Sequence, residues 1–255
     1  VVIWTDACAP ARNLTLNVMK IRKRQVPVFV ALFLFNACAM QQTGRVAQDQ
    51  PQRHVPLFSA ERAIQDEWQE ILIRGKTEYR VTASTGRVAI RAIGQNSASG
   101  LLRRVQVDPV NCPKIEWSWR VDQLQETADI RVKEKEDVAA SIYLMFGDPG
   151  LLLTPKQVPS LRYVWTNQRM DVESIVDSPY LPGTVKSLVV RSGSRQPEWF
   201  IESRNILKDF ERAFGYTPKE AIEAIALFTD NDQTKEPVLA YYEWGRLECR
   251  TDRES

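Results

Sequence analysis

Along most of the chain beyond residue 75, apolar and polar positions alternate with a period of two. "EYRVTAS" and "RVAIRAI" flank Thr85-Gly86 and predict a hairpin. "GLLRRVQVD" predicts a strand that stops before Pro109. In "KIEWSWRVD", Ile115, Trp117, Trp119 and Val121 face one way and Glu116, Ser118 and Arg120 the other. "VAASIYLMFG" is almost wholly apolar, the pattern of a strand covered on both faces. "SLRYVWTN", "VKSLVVRSG", "EWFIESRN", "EAIALFTD" and "VLAYYEWGRLEC" continue the series. In the last of these, Ala240, Tyr242, Trp244 and Arg246 share one face, and Leu239, Tyr241 and Glu243 share the other.

A helical period is confined to three segments. "SAERAIQDEWQEIL" has Ser59 as cap and Ala63, Trp68 and Leu72 among its apolar positions. "NILKDFERAFG" puts Ile206, Phe210, Ala213 and Phe214 on one face and Gly215 at the C-terminal cap. "TPKEAIEA" offers Thr217 as cap, Pro218 in the first turn and Glu220 to complete a capping box. About ten strands with two or three short helices, and no βαβ rhythm, predict a mainly β protein: a jelly-roll-like antiparallel β-sandwich.

The N-terminal region reads as an address. From Met19, the basic residues Lys20, Arg22, Lys23 and Arg24 precede an apolar run, Val26 to Phe35. That run is well short of the ~20 residues that span a bilayer, and the order is that of a bacterial secretory signal. Residues 1–18 lie upstream of this initiator and are expected to be non-native. "LFNAC" resembles a lipobox, which makes Cys38 the lipidation site of the 19–38 segment. Cleavage after Ala39 and a retained anchor stand as alternatives. By analogy with bacterial lipoproteins, Ala39 after the cysteine favours the outer membrane. The polar, Gln-rich stretch 39–58 is expected to be a flexible tether, and 59–255 a single sandwich domain. The expected location is the periplasm, with the chain anchored to the outer membrane by lipid.

Export implies an oxidising compartment. Cys112 and Cys249 stand near opposite ends of the β-rich region, so a disulfide between them would close a long loop. Two separate buried thiols are the alternative.

Charge and composition remove several function classes. The 255 residues carry 34 basic and 32 acidic side chains. Five of the basic residues and one of the acidic lie in the first 38, which leaves the remainder at a net charge of −2. Such a domain is not a nucleic-acid binder. The one histidine, His54, falls in the expected tether. A folded domain without histidine excludes Ser-His-Asp and Cys-His chemistry and His-ligated zinc.

"FTDNDQTK", residues 228–235, carries Asp230, Asn231 and Asp232 at an expected turn between strands. An EF-hand starting at Asp230 needs Gly at its sixth position and Glu at its twelfth, where this chain has Lys235 and Tyr241. A looser calcium site on Asp230 and Asp232, or a turn bonded by its own Asp and Asn side chains, both fit. Glu116, Asp129, Asp137, Glu202 and Glu243 are further carboxylates that could act in acid–base pairs. Tryptophans on a concave face would stack on sugar rings. Glu202 and Arg204 read either as a buried ion pair or as a clamp for a carboxylate or hydroxyl. The expected pocket consists of Trp119, Arg120, Tyr163, Trp165, Glu202, Arg204, Asp230, Asp232 and Tyr242.

"WSWRV", "EDVAASIYLMFG", "LRYVWTN", "DSPY", "VVRSG", "EWFIESRNILKDFERAFG", "IALFTDND" and "AYYEWGRL" together resemble the bacterial family DUF3047, in order from Trp117 to Leu247. The resemblance implies a secreted or periplasmic domain and no assigned activity. Three functional readings follow: a lectin-like module that binds a glycan or small envelope ligand, a histidine-free carboxylate enzyme acting on glycans, and an envelope scaffold lipoprotein. No cofactor beyond calcium is expected.

Overall fold

The computed structural model describes residues 52–60, 67–84, 86–151, 154–167, 169–193 and 197–251. In chain order the strands are β1 (Gln52–Ser59), β2 (Gln69–Arg74), β3 (Glu78–Ser84), β4 (Arg87–Ile93) and β5 (Ala98–Val107). Then come β6 (Lys114–Gln123), β7 (Ala140–Phe146), β8 (Gly150–Leu151), β9 (Thr154–Pro155) and β10 (Ser160–Thr166). The last are β11 (Ile175–Asp177), β12 (Val185–Ser192), β13 (Phe200–Asn205), β14 (Ile222–Asp230) and β15 (Leu239–Arg250). One α-helix, α1 (Ile206–Phe214), and a short 3-10 turn at Lys133–Lys135 are helical, and Glu67 is also α-helical. None of these helices is long and apolar enough to cross a membrane.

All the strands but β8 and β9, which pair with each other, form two stacked sheets, a jelly-roll-like sandwich. A six-stranded sheet runs β13-β6-β15-β4-β3, with β1 also on β15. A seven-stranded sheet runs β11-β12-β10-β7-β14-β5-β2. Pairing is antiparallel except between β10 and β12, which are parallel, so the expected all-antiparallel order is corrected at one pair. The long crossover that a parallel pair requires carries β11, which closes the far edge of β12.

Alternation dictates the core. Trp117 and Trp119 of β6, Tyr163 and Trp165 of β10, Ile142 and Leu144 of β7, Leu227 of β14 and Tyr242 of β15 are fully buried between the sheets. The rings pack on one another: Trp117 stacks on Tyr163 at 5.1 Å, and Trp119 tilts against Trp165 at 5.6 Å. In β15 the period of two breaks. A bulge between Tyr242 and Trp244 shifts the register, so Gly245 and Leu247, rather than Trp244 and Arg246, continue the buried face. The expected shared face of Ala240, Tyr242, Trp244 and Arg246 therefore ends at Tyr242. Arg246 lies over the Trp244 ring and pairs with Glu116 instead.

Three boundaries differ from the sequence reading. Residues 52–58 of the expected tether belong to β1, which pairs with β15 from Gln52↔Arg250 to Ser59↔Trp244. Those backbone groups gain more from a free strand edge than a polar coil would. His54 is therefore part of the folded domain, exposed on β1 opposite Glu248, and the expectation of a domain without histidine is corrected. The expected helix at 59–72 is shorter at both ends: Ser59 ends β1 and Gln69–Leu72 lie in β2, while Glu67 is α-helical and residues 61–66 fall outside the described set. Thr217–Glu220 are not helical, because the apolar run from Ile222 is taken as the strand between β5 and β7. Helix α1 forms as its signals require. The Asn205 side chain accepts from the Lys208 backbone N–H, and Gly215 caps the other end at φ 79°.

Cys112 and Cys249 are bonded to each other. The bridge ties the loop before β6 to the end of β15, beside a hydrogen bond from the Arg250 N–H to the Asn111 carbonyl. Cys38, with all of residues 1–51, lies outside the described residues.

Candidate functional site

The outer face of the seven-stranded sheet is not flat. Residues that alternate outward on β5, β14, β7 and β10 form the floor of a groove of about 1210 Å³. One wall is β2; the other is the segment around Glu134–Glu136 together with Ser178–Leu181. Tyr180 braces this second wall, donating to the Lys133 carbonyl at 2.9 Å. The floor is aliphatic and aromatic: Leu102, Ala224 and Ala226 form a buried patch with Ile71, Tyr143 and Met145 packed on it. Phe228 sits edge-on to Tyr143 at 6.0 Å. Its ring can lie flat across the neighbouring strand because Gly100 pairs with it; a Cβ there would come within 2.4 Å of Phe228 Cδ2.

One end of the groove is strongly polar. Arg162, at 2% exposure, projects outward from β10 between Tyr163 and Leu161, which point into the core. It donates to Ser187 Oγ at 2.8 Å, to Tyr143 OH at 3.0 Å and to the Glu136 carboxylate. Burial alone would lower the guanidinium's pKa, but Glu136, Tyr143 and Asp230 more than offset that and hold it up. Burial raises the Tyr143 phenol to about 12, with Arg162 opposing.

Asp137, Asp230 and Asp232 meet beside this pair. One carboxylate oxygen from each lies within 4.8 Å of the others, and all three residues are buried. The alternation of β14 explains the first contribution: Phe228 and Asp230 point outward while Leu227 and Thr229 point inward. Asp230 Oδ1 accepts the Val138 N–H at 2.7 Å. Asp137 accepts the N–H groups of Gln233 at 3.2 Å and Thr234 at 2.6 Å, fastening the turn that carries Asp232. Burial pushes the Asp230 carboxyl well above the usual range, and the nearby charges of Glu136 and Asp137 add to it. Asp232 is raised by burial and by Asp137, with Arg74 opposing.

Of the nine residues expected to form the pocket, only Asp230 and Asp232 line this groove. Trp119, Tyr163, Trp165 and Tyr242 are corrected to the interior of the sandwich, at 0% exposure. A strand of a sandwich has one face committed to the core, and the largest apolar side chains go there. Arg120 lies on the outer face of the other sheet, bidentate to Asp122 at 2.5 and 2.6 Å and near the Tyr241 ring. Glu202 and Arg204 do not pair with each other. Glu202 accepts from Arg191 at 2.8 Å and from Trp119 Nε1 at 3.2 Å. Arg204 is bidentate to Asp209 of α1 and also bonds Glu173. Both are ties between elements rather than clamps. Glu136, Tyr143, Arg162, Tyr180 and Phe228 of the groove were not anticipated. Arg162 had a signal: it is the one charge inside the apolar strand "SLRYVWT".

The groove thus lies on the outer face of a disulfide-bonded β-sandwich, apolar along its floor and acidic at one end. The chain belongs to the DUF3047 family, described as a protein of unknown function; its model matches residues 66–244. No curated protein matches the chain by sequence. Among solved structures, it is similar to the family 11 carbohydrate-binding module of the cellulosomal cellulase Lic26A-Cel5E of Clostridium thermocellum. The identity is 10% and the TM-score 0.40, over 81% of this chain and 99% of that one. It is also similar to the K3 cleaved adhesin domain of Lys-gingipain from Porphyromonas gingivalis w83, at 10% identity and TM-score 0.38, over 76% and 99%. Likeness at this level says nothing about ligand or chemistry.

Proposed function

We propose that this protein is an exported binding module whose groove on the seven-stranded sheet takes an elongated ligand with apolar faces and hydroxyl groups, an oligosaccharide of the cell envelope or its surroundings. The observation that carries this reading is the groove itself. Its volume stands above the 300–1,000 Å³ of most small-molecule sites, which suits a chain rather than a compact ligand. The Tyr143–Phe228 pair and the aliphatic floor supply apolar contact, while Asp232, Gln233 and Tyr180 present polar atoms at one end. The Cys112–Cys249 bond supports export, since such bonds persist in oxidising compartments. Anchoring through Cys38 to the outer membrane completes the reading.

Binding is favoured over carboxylate catalysis by the hydrogen bonds of the acids. Asp137 and Asp230 are committed to backbone N–H groups, and Glu202 to Arg191 and Trp119. An acid–base pair needs side chains that can reach substrate. A second ligand class, an acyl chain, is favoured by one feature: Ile71, Leu102, Ala226 and Met145 make the floor more aliphatic than aromatic.

Calorimetric titration of the mature chain with an oligosaccharide panel and with a fluorescent long-chain fatty acid separates the two. Oligosaccharide binding that weakens roughly tenfold in Tyr180→Ala, with the melting temperature lowered by only about 2–4 °C for the lost hydrogen bond to Lys133, is the expected result. Fatty-acid binding alone replaces the ligand class. No binding of either probe, or binding indifferent to Tyr180→Ala and Phe228→Ala, overturns the assignment of the groove.

A further inference from the structure

The acidic end of the groove has more buried negative charge than its neighbours balance. Glu136, Asp137, Asp230 and Asp232 are each less than 9% exposed. Among the described residues, the cation buried with them is Arg162, and it is spent on Glu136. Arg74 approaches Asp232 Oδ2 only to 3.7 Å, and its side chain is 70% exposed. Buried carboxylates of this kind require a counter-charge or a proton.

A second, separate observation concerns individual atoms. Asp232 is 7% exposed, and its Oδ1 is buried with no hydrogen-bond partner among the described residues. The next residue repeats the pattern: Gln233 Oε1 is also buried and has none. Both are pure acceptors, so what they lack is a donor or a cation. The Asp137 and Asp230 oxygens that accept backbone N–H groups keep a further lone pair each.

We infer that Asp137, Asp230 and Asp232 bind a divalent cation of the calcium type. All three donors are oxygens, the set that a hard cation takes. Calcium holds oxygens at 2.3–2.6 Å, so two ligands on opposite sides of the ion lie about 5 Å apart. The 4.8 Å span of the three aspartate oxygens falls inside that limit. The cation would join the turn after β14 to the residue before Val138, where the Asp230 N–H already bonds the Val138 carbonyl. It would thereby set one end of the groove. The inference stands apart from the identity of the groove's ligand, because it needs only the ion.

The test uses the mature chain stripped with EDTA, and Ca²⁺ or Mg²⁺ as the only additive. Calorimetry is expected to show one saturable Ca²⁺ site. The melting temperature is expected to rise by roughly 5–10 °C at 100 times Kd. Tb³⁺ should report the same site by luminescence, displaced by Ca²⁺. Asp232→Asn is expected to weaken Ca²⁺ at least about tenfold while the metal-free protein melts no lower than wild type, since the change removes an unpaired buried charge. Asp137→Asn provides the second variant. Absence of heat and of any melting shift up to about 10 mM of either ion, within the range of weak extracellular sites, overturns the inference. So does Ca²⁺ binding that Asp232→Asn and Asp137→Asn leave unchanged. Because no saccharide is present in any arm, failure here leaves the groove's ligand class untouched.

Discussion

Arg162→Met is the perturbation that most directly examines the electrostatics of the groove. The guanidinium is 2% exposed and makes hydrogen bonds to Ser187 and Tyr143 and an ion pair with Glu136. Methionine keeps much of the volume but leaves Glu136 buried beside Asp137 and Asp230 with no close cation. Breaking a buried pair from one side costs about 3–5 kcal/mol, because the remaining charge is uncompensated. Against the ~5–15 kcal/mol by which domains are stable, that is a large fraction, yet the variant should still fold. Urea unfolding at pH 7.5 in EDTA, with linear extrapolation, measures it. The comparator is Arg162→Met/Glu136→Leu. Replacing both partners with apolar residues is often near neutral, so the double variant should recover most of the loss, giving a coupling energy of about 2 kcal/mol or more. Adding Ca²⁺ should recover part of the single variant's loss. A cost below about 1 kcal/mol for Arg162→Met, or a double variant no more stable than the single, would refute the account of Arg162 as the counter-charge of a buried acidic cluster.

Two further outcomes follow from structure outside the groove. The Cys112–Cys249 bond closes a loop of 137 residues in sequence separation; loop-closure entropy puts its stabilisation at no more than about 5 kcal/mol. Cys112→Ala/Cys249→Ala should lose 2–5 kcal/mol and show a steeper urea dependence, as an unlinked denatured chain exposes more surface; equal stability would locate the bond's effect elsewhere. Glu116 provides a pH signature: burial raises its carboxyl, but hydrogen bonds from Arg246 and Lys114 prevail and bring it down to about 2. A carboxylate lowered in the folded state contributes stability that is present above its ordinary value of 4.5 and is lost as pH falls toward 2. Glu116→Gln should therefore melt below wild type at pH 6 and together with it at pH 2, and parallel curves at all pH values would remove Glu116 from the acid limb.

Much of the fold was legible in the chain because periodicity and burial are local consequences of one geometry. β5, β6, β7, β10, β12, β14 and β15 each lie where alternating or wholly apolar runs stand. Helix α1 follows from Asn205, Gly215 and the Phe210 stripe. What failed were places where partners, not local pattern, decide. Gln52–Ser59 opens on the polar Gln52, Arg53 and His54, yet it is a strand because β15 offers an open edge and Leu57 and Phe58 bury in the core. Thr217–Glu220 has every signal of a helix start, yet the strand demanded by Ile222–Phe228 begins too soon for one. The bulge at Glu243 reversed the faces of Trp244 and Arg246, since one extra residue inverts every later position.

The site was misread for a physical reason that applies to sandwiches generally. Each strand offers two faces, and sequence alternation separates them without saying which is wet. Reading aromatics as the ligand platform assigned Trp119, Tyr163, Trp165 and Tyr242 to the outside, but the two sheets bury them against one another. The better signal was the residue between them. Arg162 lies between Leu161 and Tyr163, in a strand with no other charge. A strand interior accepts a charge only where a partner waits on the opposite face, so an isolated Arg there implies buried acids from other segments. Glu136 is that acid, and Asp137, Asp230 and Asp232 are gathered around it by the N–H groups of Val138, Gln233 and Thr234. Following the lone charge rather than the largest rings leads from "SLRYVWT" and "FTDNDQTK" to the same end of one groove.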